Sequence, residues 1–211
     1  MSPILPDTAM LDTAIFDTAL RGTVGLAGVA MLVLAIATSL ARRPARAVAL
    51  VAIQAACLAV ALLAEAWRQA AWPLVAVAAF TIAAKSVALP LGLRGIAPAL
   101  VEPPARDPIG PAAVAIALAA LALVAMPQAA GPAMATAFAV MLVGGWALVR
   151  RDAGHAGPVV GVLVLENGLA LALGVVPGLP GVALLGLATA ALPGAFLLML
   201  VRRLLPGRVD R

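Results

Sequence analysis

The sequence predicts an all-α protein, a polytopic bundle of transmembrane helices. Of its 211 residues, 64% are hydrophobic and 11% are charged, whereas soluble domains average roughly 45–50% and about 25%. A soluble fold of this length has too little interior to bury so much apolar surface, but lipid accepts it. Long apolar runs alternate with short clusters of arginine, proline and glycine, the pattern of membrane spans joined by loops.

About seven spans are predicted, since a transmembrane helix needs about 20 apolar residues. The apolar segments cover residues 22–41, 46–67, 71–93, 109–130, 132–149, 157–176 and 180–201. The preceding residues 1–21 contain Asp-Thr-Ala three times at a spacing of five. They are expected to form an extracytoplasmic lead-in, with an interfacial helix as one form that it can take. Residues 204–211 are expected to form a cytoplasmic tail.

The arginines predict the orientation of these spans. With seven spans, eleven arginines fall on one side of the membrane and only Arg21 and Arg68 fall on the other. Because positive charge is enriched in cytoplasmic loops, the N-terminus is predicted to be outside and the C-terminus cytoplasmic.

The order of features indicates a parallel repeat of three helices, covering residues 22–93 and 132–203. Each copy has an apolar helix, an Arg-Arg loop, a helix with a mid-span polar residue and a third helix. The polar residue is Gln54 in the first copy and Glu166 in the second. Residues 94–131 would supply a cytoplasmic loop and a linking span. Equivalent helices are four spans apart, so both copies would have the same orientation.

Glu166 is the leading candidate for chemistry because it lies about ten residues into its span, too deep to reach water. An ionisable group at this depth costs at least about 2.5 kcal/mol and marks a functional position by default. A low dielectric favours the neutral carboxyl group over the charged carboxylate, so the group is expected to alternate between the two forms by releasing and accepting a proton. The alternative is a carboxyl group that stays neutral or is paired for structure.

Lys85 is the only lysine in the chain and also lies within a predicted span. A desolvated lysine can lose its proton, whereas arginine cannot. Lys85 is therefore a second candidate for a proton relay, or a charge that tunes a neighbouring carboxylate. A structural ion pair is the alternative. Pro90, five residues later, is expected to break the helix near Lys85.

Three further residues are candidates to hold water or to pass a proton: Gln54, His155 and Asn167. Gln54 could equally bind neighbouring helices together, and His155 could be an ordinary solvated loop residue. Glu65 and Trp67, at the outer end of the second span, are expected at the lipid interface, where aromatic residues collect.

Other classes of site lack their residues. The single cysteine, Cys57, excludes an internal disulfide and a multi-cysteine metal or iron–sulfur site in this chain. We find no paired histidines and no glycine-rich phosphate loop, so no metal, nucleotide or haem cofactor is expected. The positive charge lies in loops between apolar runs and does not indicate nucleic-acid binding.

Three segments resemble the family of hydrogenase-4 component E, a membrane protein of formate hydrogenlyase-type complexes. They are the Gly161–Gly168 run after a basic turn, the lysine-bearing stretch Phe80–Leu91, and Gln54 in its second helix. The order is kept across nearly the whole chain. Residues 132–203 also resemble the small K-type membrane protein of respiratory complex I (NADH-quinone oxidoreductase) and the C-type component of multisubunit cation/proton antiporters. In that resemblance Glu166 takes the position of their buried glutamate.

The resemblance implies a multi-pass protein of the inner cell membrane that belongs to a larger complex and has no redox centre of its own. Its expected partners are the lipid bilayer, antiporter-like and quinone-binding-type membrane subunits, and peripheral [NiFe] hydrogenase-like and iron–sulfur subunits. Such complexes couple redox chemistry to ion movement along a chain of buried charges. The seventh predicted span departs from the family pattern, because it has no ionisable group before Arg202.

Overall fold

A computed structural model describes residues 8–41, 43–94, 109–127, 130–150 and 156–176 of the chain. Within these ranges the structure is helical and contains no strand. The helices are α1 (Thr8–Leu40), α2 (Pro44–Gln69), α3 (Trp72–Thr81), a π-helical segment (Ile82–Ala88), α4 (Leu89–Arg94), α5 (Ile109–Ala125), α6 (Gly131–Val149) and α7 (Ala156–Val175).

Five helical stretches are long and apolar enough to cross a membrane: Thr13–Leu40, Pro44–Gln69, Trp72–Leu91, Gly131–Val149 and Pro158–Val175. They confirm the predicted class, an all-α bundle of a multi-pass membrane protein. The fourth predicted span corresponds to the shorter apolar helix α5, which has 17 residues. The seventh, at residues 180–201, lies outside the described residues, so the count of seven stays a prediction.

The first helix begins earlier than the hydropathy predicts. α1 starts at Thr8 and runs without a break for 33 residues, so the predicted lead-in is continuous with the first span from residue 8 on. Asp17 and Arg21, which are about one helical turn apart, form an ion pair that supports this part of the helix. At about 1.5 Å per residue, α1 is about 50 Å long, which exceeds the roughly 30 Å thickness of the hydrocarbon layer.

Prolines mark the start of three helices. α2, α3 and α6 each have a proline in the first or second helical position. Proline is tolerated there because the first backbone N–H groups of a helix have no partner within it. Pro44 and Pro132 therefore place the helix starts close to the predicted span starts at 46 and 132.

α6 and α7 form an antiparallel pair whose backbones touch. A β-carbon added to Gly144 would lie 2.5 Å from the backbone nitrogen of Leu165, and one added to Gly161 would collide with the backbone of Leu148. Glycine is required at both positions because any side chain would force the two helices apart. This close approach fixes the position of α7 along the axis of α6.

α1, α2, α6 and α7 form the centre of the bundle, with α3, the π-helical segment and α4 packed on α2. Gly28 approaches Thr136, and farther along both helices Arg150 donates to the carbonyl of Ser39, so α1 and α6 run parallel. α2 and α7 also run parallel, because Gln54 contacts Asn167 and Leu62 contacts Gly174. The largest fully buried side chains of this core include Met31, Leu58, Leu62, Leu163 and Leu171.

Candidate functional site

Lys85 and Glu166 form an ion pair inside the bundle. The distance from Lys85 Nζ to Glu166 Oε1 is 2.7 Å. Lys85 is 5% exposed and Glu166 is 6% exposed, so neither group reaches bulk solvent. The two residues are far apart in sequence and come together because the π-helical segment and α7 both pack against α2. The pair neutralises two charges that would each be unstable alone in this interior.

The π-helical segment presents Lys85 to α7. Its wider turn is shown by Leu89, whose N–H binds the carbonyl of Ala84, five residues back. Pro90 follows directly, and a proline ring in a regular α-helix would clash with the carbonyl of the residue four positions earlier, which is Ser86. The wider turn relieves this clash. The Ser86 hydroxyl also donates to the carbonyl of Ala52 at 3.0 Å, which attaches the segment to α2.

A chain of two amides continues from Lys85 into the centre of the bundle. Lys85 Nζ donates to Asn167 Oδ1 at 3.0 Å, and Asn167 Nδ2 donates to Gln54 Oε1 at 3.0 Å. Gln54 Nε2 donates to the backbone carbonyl of Met31 at 2.9 Å. Gln54 and Asn167 are fully buried, so these bonds have no competition from bulk water.

The carboxylate of Glu166 is less completely bonded than the rest of the site. The ammonium of Lys85 lies at ion-pair distance from Oε1, but the angles fall outside hydrogen-bond geometry. Neither oxygen receives a regular hydrogen bond from the part of the chain that the structure describes. A buried polar atom without a donor is rare and requires an explanation. A carboxylate in this state has lone pairs ready to receive a proton.

A second polar cluster lies at the other end of the α2–α7 interface. Glu65 Oε2 accepts from Arg68 Nε at 2.8 Å and from Gln69 Nε2 at 2.9 Å. Gln69 also donates to the carbonyl of Gly174 near the end of α7. The three-residue spacing of Glu65 and Arg68 is the sequence signal for this pairing.

The aromatic and acidic residues at this end of α2 differ in their exposure. Trp67 and Trp72 are 67% and 74% exposed, so both side chains face away from the bundle. Glu65 is 5% exposed and points into the bundle, four residues before the end of α2, and its position at the depth of the lipid interface stays a prediction.

Four of the five candidate residues from the sequence meet in one site: Glu166, Lys85, Asn167 and Gln54. The fifth, His155, lies outside the described residues. Within the described ranges, no three His, Cys, Asp or Glu side chains come close enough together to hold a metal ion. The described site consists of one acid, one amine and two amides.

Comparisons with protein-family models, with curated proteins and with solved structures find no match to this chain. The class that the fold itself defines is a multi-pass helical membrane protein with a buried ion pair.

Proposed function

We propose that this chain belongs to the membrane arm of a complex I-like, redox-driven complex of the group 4 [NiFe] hydrogenase or formate hydrogenlyase type. Within that complex it contributes one link to the translocation of protons or other ions. The observation that carries the proposal is the buried contact of 2.7 Å between Lys85 Nζ and Glu166 Oε1. The resemblance of the Glu166, Lys85 and Gln54 segments to the hydrogenase-4 component E family supports it.

The chemistry of this link is a proton transfer within the pair. A proton on Lys85 Nζ can move to Glu166 Oε1 over the short contact, which converts an ion pair into a neutral amine and a neutral acid. The net charge of the site is zero in both states. Burial disfavours the separated charges, and their mutual attraction favours them, so the two states can be close in free energy. A change of charge in a neighbouring protein of the complex could then shift the proton from one residue to the other.

Glu166→Gln tests this role in the assembled complex. The amide keeps the size of the side chain but cannot bind and release a proton, so we expect assembly to be retained and proton-coupled turnover to be lost. Glu65→Gln is the matched control, since Glu65 is equally buried but belongs to the other cluster, and it should retain turnover. Native turnover in assembled Glu166→Gln would reject the relay and leave a purely structural membrane protein.

The partners can be tested without a mutation. Mild solubilisation followed by mass spectrometry should recover an antiporter-like membrane subunit and a [NiFe]-type large subunit together with this chain. A stand-alone secondary transporter is the other class of function that a helical bundle can serve. It predicts ion or solute transport by the purified chain in liposomes, which a member of the proposed complex should not show.

The proposed topology has seven spans across the inner cell membrane. The N-terminus lies outside and the C-terminus lies in the cytoplasm. The parallel directions of α1 and α6 support a crossing by α5. α4 ends on the side opposite to the start of α1, while α6 starts on the same side as α1, so the chain must return between them. α5, at about 26 Å, is the one described helix available for that crossing.

A further inference from the structure

The amide chain beside the ion pair has a fixed direction, and its far end sets that direction. The backbone carbonyl of Met31 can only accept a hydrogen bond, so Gln54 must turn its NH₂ group toward it. The Oε1 of Gln54 then faces Asn167, which must present its own NH₂ group. The Oδ1 of Asn167 is consequently left facing Lys85 and requires a donor there.

We propose that Gln54 and Asn167 are positioning residues, which hold the Lys85 side chain against Glu166 and do not themselves carry the proton. An amide does not release its N–H protons at physiological pH, and this chain ends on a backbone carbonyl from which no proton can continue. The inference rests on the proposed function, because holding Lys85 in place matters most if the Lys85–Glu166 pair moves protons. It reassigns Gln54 and Asn167 from possible relay members to supports of that pair.

Gln54 acts on Lys85 through Asn167. In the part of the chain that the structure describes, the hydrogen bonds of the Gln54 side chain go to Met31 and Asn167. Without Gln54, the NH₂ group of Asn167 loses its acceptor, and the amide is held only by the bond that its Oδ1 accepts from Lys85. The amide can then shift in its pocket, and the ammonium of Lys85 moves with it. Bulk water cannot replace the lost bond because Asn167 is fully buried.

The single lysine makes this effect directly measurable. Isotope-labelled lysine places one labelled Nζ in the whole chain, at Lys85, and its NMR signal reports the hydrogen bonds of that group. The full-length protein is compared with its Gln54→Leu, Asn167→Leu and double variants in lipid nanodiscs at the same pH. We expect Gln54→Leu and Asn167→Leu to displace the Nζ signal in the same direction by more than its linewidth. The double variant should show no further displacement, since both act along one path.

Gln69→Leu is the matched control, because Gln69 lies on the same helix but binds Glu65 and Gly174, and it should leave the Lys85 signal unchanged. The proposal is overturned if Gln54→Leu leaves the Nζ signal at its native position, or if the two displacements add in the double variant. Where Gln54→Leu fails to fold by circular dichroism, Gln54→Met, which has a side chain of similar length, is measured in its place and judged by the same outcomes.

This experiment separates the positioning role from the relay. The NMR signal needs no partner protein and no turnover, whereas the Glu166→Gln test needs both. A displaced signal together with native turnover of Glu166→Gln would keep the amide chain as a support and reject the relay. A native signal together with lost turnover would keep the relay and reject the support.

Discussion

Lys85 and Glu166 depend on each other because each is the compensating charge of the other. Removing one partner from a buried ion pair leaves an isolated charge and typically destabilises a protein by about 3–5 kcal/mol. Replacing both partners by neutral groups of similar size leaves no charge to desolvate and is often close to neutral. The pair can therefore be tested by stability alone, independently of any partner.

Lys85→Met is expected to lower the free energy of unfolding by about 3 kcal/mol, because Glu166 loses its counter-charge. Adding Glu166→Gln to Lys85→Met should recover most of this loss. The measurement is denaturant-induced unfolding in mixed micelles, followed by circular dichroism. A double variant that is less stable than Lys85→Met alone would contradict the interpretation.

The exposed ion pair between Asp17 and Arg21 provides the control. Its side chains are 41% and 68% exposed, and its N–O distance of 2.8 Å is similar to that of the buried pair. Exposed pairs contribute little, because water solvates both charges. Asp17→Asn should therefore lower the stability by no more than about 0.5 kcal/mol in the same assay.

Glu166 and Lys85 can be identified from the sequence because a charged residue inside a long apolar run stands out. The contact between these two residues cannot be identified from the sequence, since it depends on how α7 and the π-helical segment pack against α2. The amide chain is hidden for the same reason: Gln54 and Asn167 are 113 positions apart. The inward direction of Glu65 is hidden as well, because it depends on helix rotation, which is weakly encoded in a helix that is apolar all round.

At the scale of helices, glycine determines how closely α6 and α7 approach. Gly144 and Gly145 are neighbours in the sequence and lie on different faces of α6. The added β-carbon at Gly144 would be 2.5 Å from a backbone atom of α7, whereas at Gly145 the nearest neighbour is the flexible end of the Leu165 side chain at 3.8 Å. This pair of residues separates the effect of contact from the general effect of replacing glycine in a helix.

Gly144→Ala is expected to destabilise the protein by about 1–3 kcal/mol, because a methyl group forced into a packed contact moves the backbone. Gly145→Ala should be neutral or stabilising by up to about 1 kcal/mol, since alanine is the better helix former. Thermal unfolding of the two variants in the same detergent provides the measurement. Equal losses at both positions would show that the close contact is not the cause.

The helices themselves are largely predictable, because hydropathy identifies apolar segments of the right length and proline marks several starts. The early start of α1 is not predictable, since the Asp-Thr-Ala repeats are polar enough to end an apolar run but do not prevent a helix. Pro90 indicates a disturbance near Lys85. The form of the disturbance, a π-helical turn attached to α2 by the hydrogen bond from Ser86 to Ala52, is not evident from the sequence.

At the scale of the whole molecule, the two antiparallel pairs α1–α2 and α6–α7 pack side by side with equivalent helices parallel. The predicted parallel repeat, in which α2 corresponds to α7, requires such an arrangement, but its last helix, at residues 180–201, lies outside the described residues, so the repeat stays a prediction. In that prediction, the contact between Gln54 and Asn167 joins the two copies at nearly equivalent positions, one of them adjacent to Glu166. A duplicated unit of this kind would explain why the site lies between helices from both halves of the chain.

The topology leads to a labelling prediction that the single cysteine makes simple. Cys57→Ala gives a cysteine-free background, into which one cysteine is introduced at a time. In intact cells, a membrane-impermeant thiol reagent should label Arg21→Cys, directly before the first predicted span at residues 22–41, and Pro127→Cys, beyond the proposed outer end of α5. It should not label Arg43→Cys or Ile109→Cys until the membrane is opened, because these positions are proposed to face the cytoplasm. Labelling of Ile109→Cys and Pro127→Cys from the same side would show that α5 does not cross, and the seven-span topology would then be wrong.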